Sequence, residues 1–539
     1  MQASLASARR RSSYNSRVIE PADLALLMRS DTPHAVLDVR ERGAYERGHI
    51  FRATALPRRL LEFRLPALIT APATAIVIYD DDGRLAALAA PTLAAMGYST
   101  VRVLAGGLAG WRAAGRPVVQ GLNVPSKVFG EQVLHAAKTT QITPQALARR
   151  LARGDDLVIV DARTPEEYAR GCVPGAWNVP GGELVLRITE LIRRPDTTVV
   201  VHCGGRTRSY IGAESLRRMG LPNPIVALEN GTMGWQLAGL ELERGASRWA
   251  PAVSARSRAA AAVVAKKVAA EDGVRFVSVD DVRRLLARRH ERTAYVLDVR
   301  TAEEYAQGHV AGARWAPGGQ LVQAADEYVA VRSAPIVLVC DGLVRSVMTA
   351  AWLRRMGLVN VAALAGGLPA WEQAGGEVER GHPAPLPFGY AEARTMVTTV
   401  APGRLGDARV IDVDQSDVYC RGHVPGAVWL CRSRLEATID RISPDRHAAL
   451  VVTCADGSHS MLAAATLART GYTSVRVLEG GTRAWEQAGL AVERGPTHLA
   501  DEADDVVLKA YEKGRAAMEA YLTWEAALDA EGQSPYTLV

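Results

Sequence analysis

The stretch VVVHCGGRTRSYIGAES, residues 199–215, ends an apolar run in a cysteine and continues through two glycines and two arginines into a helix-like segment. A thiol in that position can act as a nucleophile, provided it ionises, because the thiolate is the reactive form. An unperturbed cysteine has a pKa of about 8.5, which leaves only a few per cent ionised at neutral pH. A cysteine at the carboxyl end of a strand, with the loop curling into a helix N-terminus, meets backbone N–H donors and the positive end of the helix dipole. Arg206 and Arg208 add positive charge. A shift of about two units makes the thiolate dominant and requires about 2.7 kcal/mol of differential stabilisation. The competing reading of Cys203 is a small, unreactive core residue.

Three further stretches occupy the same place in their own segments. CDGLVRS keeps Cys340, Arg345 and Ser346 but sets Asp341 beside the thiol. CADGSHS keeps Cys454, with Asp456 in the loop and His459 where the others carry arginine. DDDGRLA has Asp80 at the cysteine position and so offers no thiol there. Cys203 is therefore the leading nucleophile, with Cys340 and Cys454 as weaker candidates. Cys172 stands where His49, His309 and His423 stand elsewhere and is read as a tolerated small residue. Cys420 and Cys431 fall outside the loop position and are read as structural.

The elements that must position these loops form a fourfold repeat. AVLDVRERGAYERGHI, VIVDARTPEEYARGCVPGAWNVP, YVLDVRTAEEYAQGHVAGARWAP and RVIDVDQSDVYCRGHVPGAVWL are one pattern. Each opens with a β-branched run ending in an acid: Asp38, Asp161, Asp298 or Asp412. Tyr45, Tyr168, Tyr305 and Tyr419 follow seven residues later, and Gly48, Gly171, Gly308 and Gly422 ten residues later. A second apolar run ends at Asp80, Cys203, Cys340 or Cys454, and the interval from the first acid is 42 residues every time. A helical stretch and a third apolar run lead to VLAGGLAGW, ALENGTMGW, ALAGGLPAW or VLEGGTRAW, whose tryptophans read as packing anchors. Continuous apolar runs alternating with helical patterns indicate a parallel sheet covered on both faces. Within each first motif, the aspartate reads as a turn-fixing acceptor, and Arg163 is expected to pair with Glu166 or Glu167.

The repeat divides the chain into domains at 17–121, 138–246, 273–382 and 388–496, with a helical tail over 497–539. LNVPSKVFGEQVLHAAKTTQ, residues 122–141, and RWAPAVSARSRAAAAVVAKKVAAEDG, residues 248–273, read as connectors, the latter turning into a helix. With 539 residues, a prior of roughly 150 per domain suggests three to four domains. The apolar share of 48% supplies several cores. A net charge of +6 is a weak bias with no nucleic-acid motif behind it. No apolar run reaches the roughly 18 residues of a membrane span. The Arg/Ser-rich beginning MQASLASARRRSSYNSR lacks the apolar core of a secretory signal and reads as a disordered lead-in. Six cysteines without regular spacing do not make a disulfide framework, so a reducing cytoplasm is the expected compartment.

These motifs resemble the rhodanese homology family in four tandem copies. VDARTPEEYARGCVPGAWNVP is similar to its N-terminal signature, CGGRTRS to its active-site loop, and GGLAGW with its sisters to its closing signature. The resemblance implies an α/β fold: four rhodanese-like three-layer α/β/α domains, each with a central parallel sheet, followed by a helical tail. It also implies a sulfurtransferase that carries sulfane sulfur as a cysteine persulfide on Cys203. Gly204, Gly205, Arg206, Thr207, Arg208 and Ser209 would then cradle the sulfur, and Arg345 would serve the Cys340 loop. Four residues separate Cys203 from Arg208. The related dual-specificity phosphatases and arsenate reductases have one more, so the short loop favours sulfur over a tetrahedral oxyanion. The expected donor is a small anion such as thiosulfate, or a low-molecular-weight persulfide; the expected acceptor is cyanide, a thiol or an acceptor protein. No metal or organic cofactor is needed for this chemistry, and no nucleic-acid or membrane partner is expected. The alternative is a persulfide carrier or scaffold with weak turnover of small molecules.

Overall fold

A computed structural model describes residues 17–529; the Arg/Ser-rich beginning, up to residue 16, lies outside them. Each repeat folds around its own five-stranded sheet, and every strand pair within these sheets is parallel. In domain 2 the spatial order is Gln141–Ile142, Ile225–Leu228, Thr198–His202, Leu157–Asp161 and Trp177–Asn178. The other three domains repeat that order. β-Branched residues dominate the central strands and are buried from both sides, as expected for a sheet with helices on each face.

The constant 42-residue interval is a statement about register. Asp161 lies opposite His202 on the neighbouring strand, Asp298 opposite Val339, Asp412 opposite Thr453 and Asp38 opposite Tyr79. The next residue is the cysteine position, so the first acid and the loop emerge side by side at the carboxyl edge of the sheet. Each tyrosine of the first motif donates from its hydroxyl to a carbonyl eight residues on: Ala53, Ala176, Ala313 or Ala427, at 2.8–2.9 Å. The closing tryptophans also repeat one bond, indole N–H to the carbonyl six residues later, at 2.8 Å in all four copies.

The domains are not paired in chain order. Two compact units form, one from the described residues up to 122 together with 384–507, the other from 123–383 together with the tail from 508. Domains 1 and 4 therefore belong to one unit, and domains 2 and 3 to the other. In the first unit, Arg58 grips Glu436 with both nitrogens at 2.6 and 2.7 Å, and Arg432 pairs with Glu62 at 2.6 Å. In the second, Gly181 and Gly182 lie against Gly318 and Gly319, so close that a Cβ on Gly182 or Gly319 would stand only 3.0 or 3.1 Å from the facing backbone. The connector predicted between domains 1 and 2 folds as the helix Val124–Ala137, and the one between domains 2 and 3 as Ala255–Glu271. The tail supplies the helix Arg515–Ala527, which packs on domain 2 through Met518 and Leu522 against Met233. No helix among the described residues is long and apolar enough to cross a membrane.

Candidate active site

Cys203 follows directly on the strand Thr198–His202, and the loop reaches the helix Thr207–Arg217 four residues later. Gly231, at φ +54°, holds this loop from below: the next amides, of Thr232 and Met233, donate to the carbonyls of Cys203 and Gly204 at 2.9 and 3.0 Å. A side chain at Gly231 would strike the Cys203 carbonyl. Gly107, Gly367 and Gly481 stand in the same relation to the loops of the other domains, which explains the glycine of the closing signature. Cys203 is 2% exposed, and its sulfur lies 3.5 Å from Ser209 Oγ. Cys340 and Cys454 have matching neighbours in Ser346, at 3.2 Å, and Ser460, at 3.5 Å.

Domain 1 reveals what this loop is shaped to hold. The Asp80 carboxylate at the cysteine position accepts the Gly83 and Leu85 amides at 2.6 and 2.7 Å. Loop N–H groups thus converge on the point that the sulfur occupies elsewhere. In domain 4 the Ser460 amide donates to the Cys454 sulfur at 3.4 Å.

The arginines do not present free guanidinium groups. Arg206 donates to both Glu131 oxygens at 2.8 and 2.6 Å and to Asn230 at 3.0 Å. Arg208 donates to both Glu167 oxygens at 2.6 and 2.8 Å and to Gln320 of domain 3 at 3.3 Å. Arg345 reaches Glu304, Asp341 and, across the domain interface, Glu183 at 2.9 Å. Charge inside each loop is therefore compensated at its source. The Glu167 pairing also corrects the expectation for Arg163, which instead grips its own Asp161 through backbone and side chain and donates to the Gly171 carbonyl. A two-residue return places that guanidinium on Asp161, while the capping box of Thr164 and Glu167 turns Glu167 toward Arg208. Asp38 with Arg40, and Asp298 with Arg300, repeat this clasp. Burial alone would raise Glu167, but the charge and hydrogen bonds of Arg208 hold its carboxyl down at about 2.

The other candidate loops differ. Burial pushes the Cys340 thiol up, and Asp341 adds to the effect. Burial likewise pushes Cys454 up to about 11, although its bond to Ser460 opposes this. In domain 4, Asp414 replaces the clasp arginine, so Asp412 lies buried without a cation and is pushed up to about 8 by desolvation. His459, at the arginine position, stacks on Phe63 at 4.2 Å and is lowered to about 3 by burial, which keeps it neutral. Cys172 belongs to the core around Tyr168 and Trp235, and Cys431 is buried at 3.3 Å from Glu41.

Sequence reasoning missed Glu131, Glu525 and the domain-crossing partners Gln320 and Glu183. Glu525 of the tail helix accepts a 2.6 Å hydrogen bond from Thr207 Oγ1, directly on the cysteine loop. The residues Pro-Gly-Gly-Glu at 180–183 and Pro-Gly-Gly-Gln at 317–320 were a visible signal of the reciprocal contact, since both follow the first motif.

Thus Cys203, Gly204, Gly205, Thr207, Arg208 and Ser209 are gathered in one loop and the first turn of the helix after it, Arg206 is tied to the connector helix, and Cys340 with Arg345 forms a second such loop and helix start in the same unit. Known proteins carry similar repeats. The chain is 32% identical over 102 residues to a sulfurtransferase of Allochromatium vinosum, covering 19% of this chain and 92% of that protein. A thiosulfate sulfurtransferase of Azotobacter vinelandii is 30% identical over 245 residues, 38% of this chain and 89% of that one. A crystal structure of a thiosulfate sulfurtransferase from Pseudomonas aeruginosa superposes with a TM-score of 0.88 at 40% identity, covering 95% of this chain and 97% of that one. The rhodanese-like domain profile matches residues 20–114, 143–238, 278–374 and 400–488. The four folded repeats, their shared cysteine-position loops and these matches establish that the chain belongs to the rhodanese-like family.

Proposed function

We propose that domain 2 transfers sulfane sulfur through a persulfide on Cys203, taking it from thiosulfate or a low-molecular-weight persulfide and passing it to a thiophilic acceptor such as cyanide, a thiol or a protein. The observation that carries this reading is the anion cradle: loop amides close on the Asp80 carboxylate in domain 1, and the thiol of Cys203 takes that place in domain 2. An inward-facing set of N–H donors is suited to hold the terminal sulfur of a persulfide.

The steps follow from that geometry. The Cys203 thiolate attacks the outer sulfur of thiosulfate. A sulfur–sulfur bond forms to Cys203, the bond within the donor breaks, and its electron pair leaves with sulfite. The acceptor's nucleophile then attacks the outer sulfur of the persulfide, and the thiolate of Cys203 departs as the leaving group. Ser209, beside the sulfur, and the Thr232 and Met233 amides, which fix the loop carbonyls, hold the atoms in place. Domain 1 is inactive in this scheme because Asp80 cannot carry sulfur. Cys340 and Cys454 are poorer nucleophiles than an unperturbed thiol at neutral pH, since their folded surroundings raise both.

The test is to locate the sulfur. The protein is incubated with thiosulfate, digested without reductant and mapped by mass spectrometry. Sulfur on Cys203, absent in Cys203→Ser, supports the proposal. If neither thiosulfate nor a glutathione persulfide modifies any cysteine, the transferase reading fails.

A further inference from the structure

The tail helix brings a carboxylate to the cysteine loop that no element of the repeat supplies. Glu525 is 1% exposed. Its Oε1 accepts from Thr207 Oγ1 at 2.6 Å, while Oε2 is buried with no hydrogen-bond partner. That second oxygen faces the loop backbone: a Cβ built on Gly205 would stand 3.1 Å from it, 3.5 Å from Tyr521 Cε1 and 3.0 Å from Met233 Cε. The corresponding glycine of domain 3, Gly342, has nothing within 4 Å of such a Cβ. The Cys203 loop therefore has a roof that the Cys340 loop lacks.

The charges around that roof do not balance in favour of an anion. Arg206 spends its fork on Glu131, and Arg208 spends its own on Glu167. Glu525 makes no close ion pair among the described residues, although the Arg206 guanidinium feels its charge, and the nearby Lys127 ammonium lies over the rings of Tyr521 and Trp524, at 4.8 and 4.7 Å. Burial, then Glu525 and Cys203, raise the Tyr521 phenol well above its usual range, so it stays a neutral neighbour of the sulfur. A buried carboxylate interacts with an incoming charge far more strongly than one in water, and the cost doubles for a dianion. Its unused lone pairs offer a partner to any group that brings an N–H or O–H.

We infer that Glu525 is a specificity-determining residue of the Cys203 site, weighing against doubly charged donors such as thiosulfate and favouring organic persulfides that carry no net dianion and can donate a hydrogen bond. This rests on the sulfurtransferase reading and narrows its donor class. Glu525 touches the loop rather than the reacting atoms, so its effect is on the choice of substrate.

A matched pair of thiol reagents reads that effect without needing the natural donor. Iodoacetate and iodoacetamide differ by one negative charge at nearly equal size, and the rate at which each modifies Cys203 in the full chain can be followed by mass spectrometry. In the wild-type protein the ratio of iodoacetamide to iodoacetate rates at Cys203 should exceed that for free glutathione at least tenfold. Glu525→Gln, which keeps an acceptor for Thr207, should narrow that ratio at least fivefold and raise the rate of sulfur loading from thiosulfate by at least as much. Equal acceleration of both reagents would make the helix a simple lid and overturn the inference, as would unchanged ratios. The wild-type ratio alone decides the matter if the variant does not fold: a value equal to that of glutathione refutes a role for the carboxylate. If charge discrimination is present but no donor of any kind loads sulfur on Cys203, the transferase reading falls instead, and the donor assignment falls with it.

Discussion

Replacing Asp412 with asparagine should abolish a loss of stability that domain 4 suffers as pH rises. The other three first-motif aspartates are gripped by an arginine two residues on, whereas Asp412 has Asp414 in that place and accepts only the Asp414 amide, at 2.9 Å. Desolvation, with Asp414 as a secondary cause, holds its folded pKa at about 8, against about 3.9 in an unfolded chain. The folded state therefore keeps a proton that the unfolded state has released throughout the window between those values. Stability in this window falls with rising pH, by about 1.4 kcal/mol per unit, and levels off above the folded value. From pH 5 to pH 8 the expected loss is about 4 kcal/mol. Because the chain has several domains, the assay is local: hydrogen exchange of the strands Arg409–Asp412 and Leu450–Thr453, corrected for the intrinsic rate, at half-unit pH steps. Asp412→Asn should flatten the profile to within about 1 kcal/mol. A wild-type profile as flat as that of the variant, or a variant that keeps the slope, would refute the reasoning.

Other perturbations have equally defined outcomes. Gly231→Ala should destabilise the Cys203 loop by about 1–2 kcal/mol from the left-handed backbone alone, and by more from the collision with the Cys203 carbonyl; faster hydrogen exchange in residues 199–215 and lost sulfur loading check this. Glu167 has the opposite linkage to Asp412. Its folded pKa of about 2 lies below an unfolded value of about 4.3, so its contribution of about 3 kcal/mol is fully present above the latter and disappears as pH falls through the former. Acid should therefore loosen residues 199–215 between pH 4 and 2, and Glu167→Gln should remove that step from the exchange profile.

The architecture was legible because it is written four times in register. An interval of 42 residues between an acid and the end of the next run, kept in all four copies, marks two runs that recur as one unit, and the structure pairs them as adjacent parallel strands in the same register. The loop itself was legible because its chemistry is local: Cys203, Ser209 and the following helix lie within a few residues. The charge state of the site was not. Arg206 and Arg208 read as substrate ligands when only neighbouring residues are in view, yet Glu131 lies 75 residues away from the first, in a segment that looks like a connector. Glu525 lies 318 residues from Thr207. Nor does any periodicity state that domain 1 should join domain 4, since all four copies present the same motifs and the choice rests on particular pairs such as Arg58 with Glu436.

The nested pairing of domains has a consequence for biosynthesis. Domain 1 leaves the ribosome first, but its partner begins only at Ala384, after the whole of domains 2 and 3 has been made. At about 5–20 residues per second, that delay is on the order of tens of seconds. During it, Arg58 and Phe63, destined for Glu436 and His459, face water or chaperones instead. The Cys203 loop waits longer still, because the helix carrying Glu525 follows all four domains along the chain. Until the helix Arg515–Ala527 has been made and docked, domain 2 holds its cysteine loop without the Glu525 carboxylate, so the last partner of that loop arrives from outside the repeat that built it.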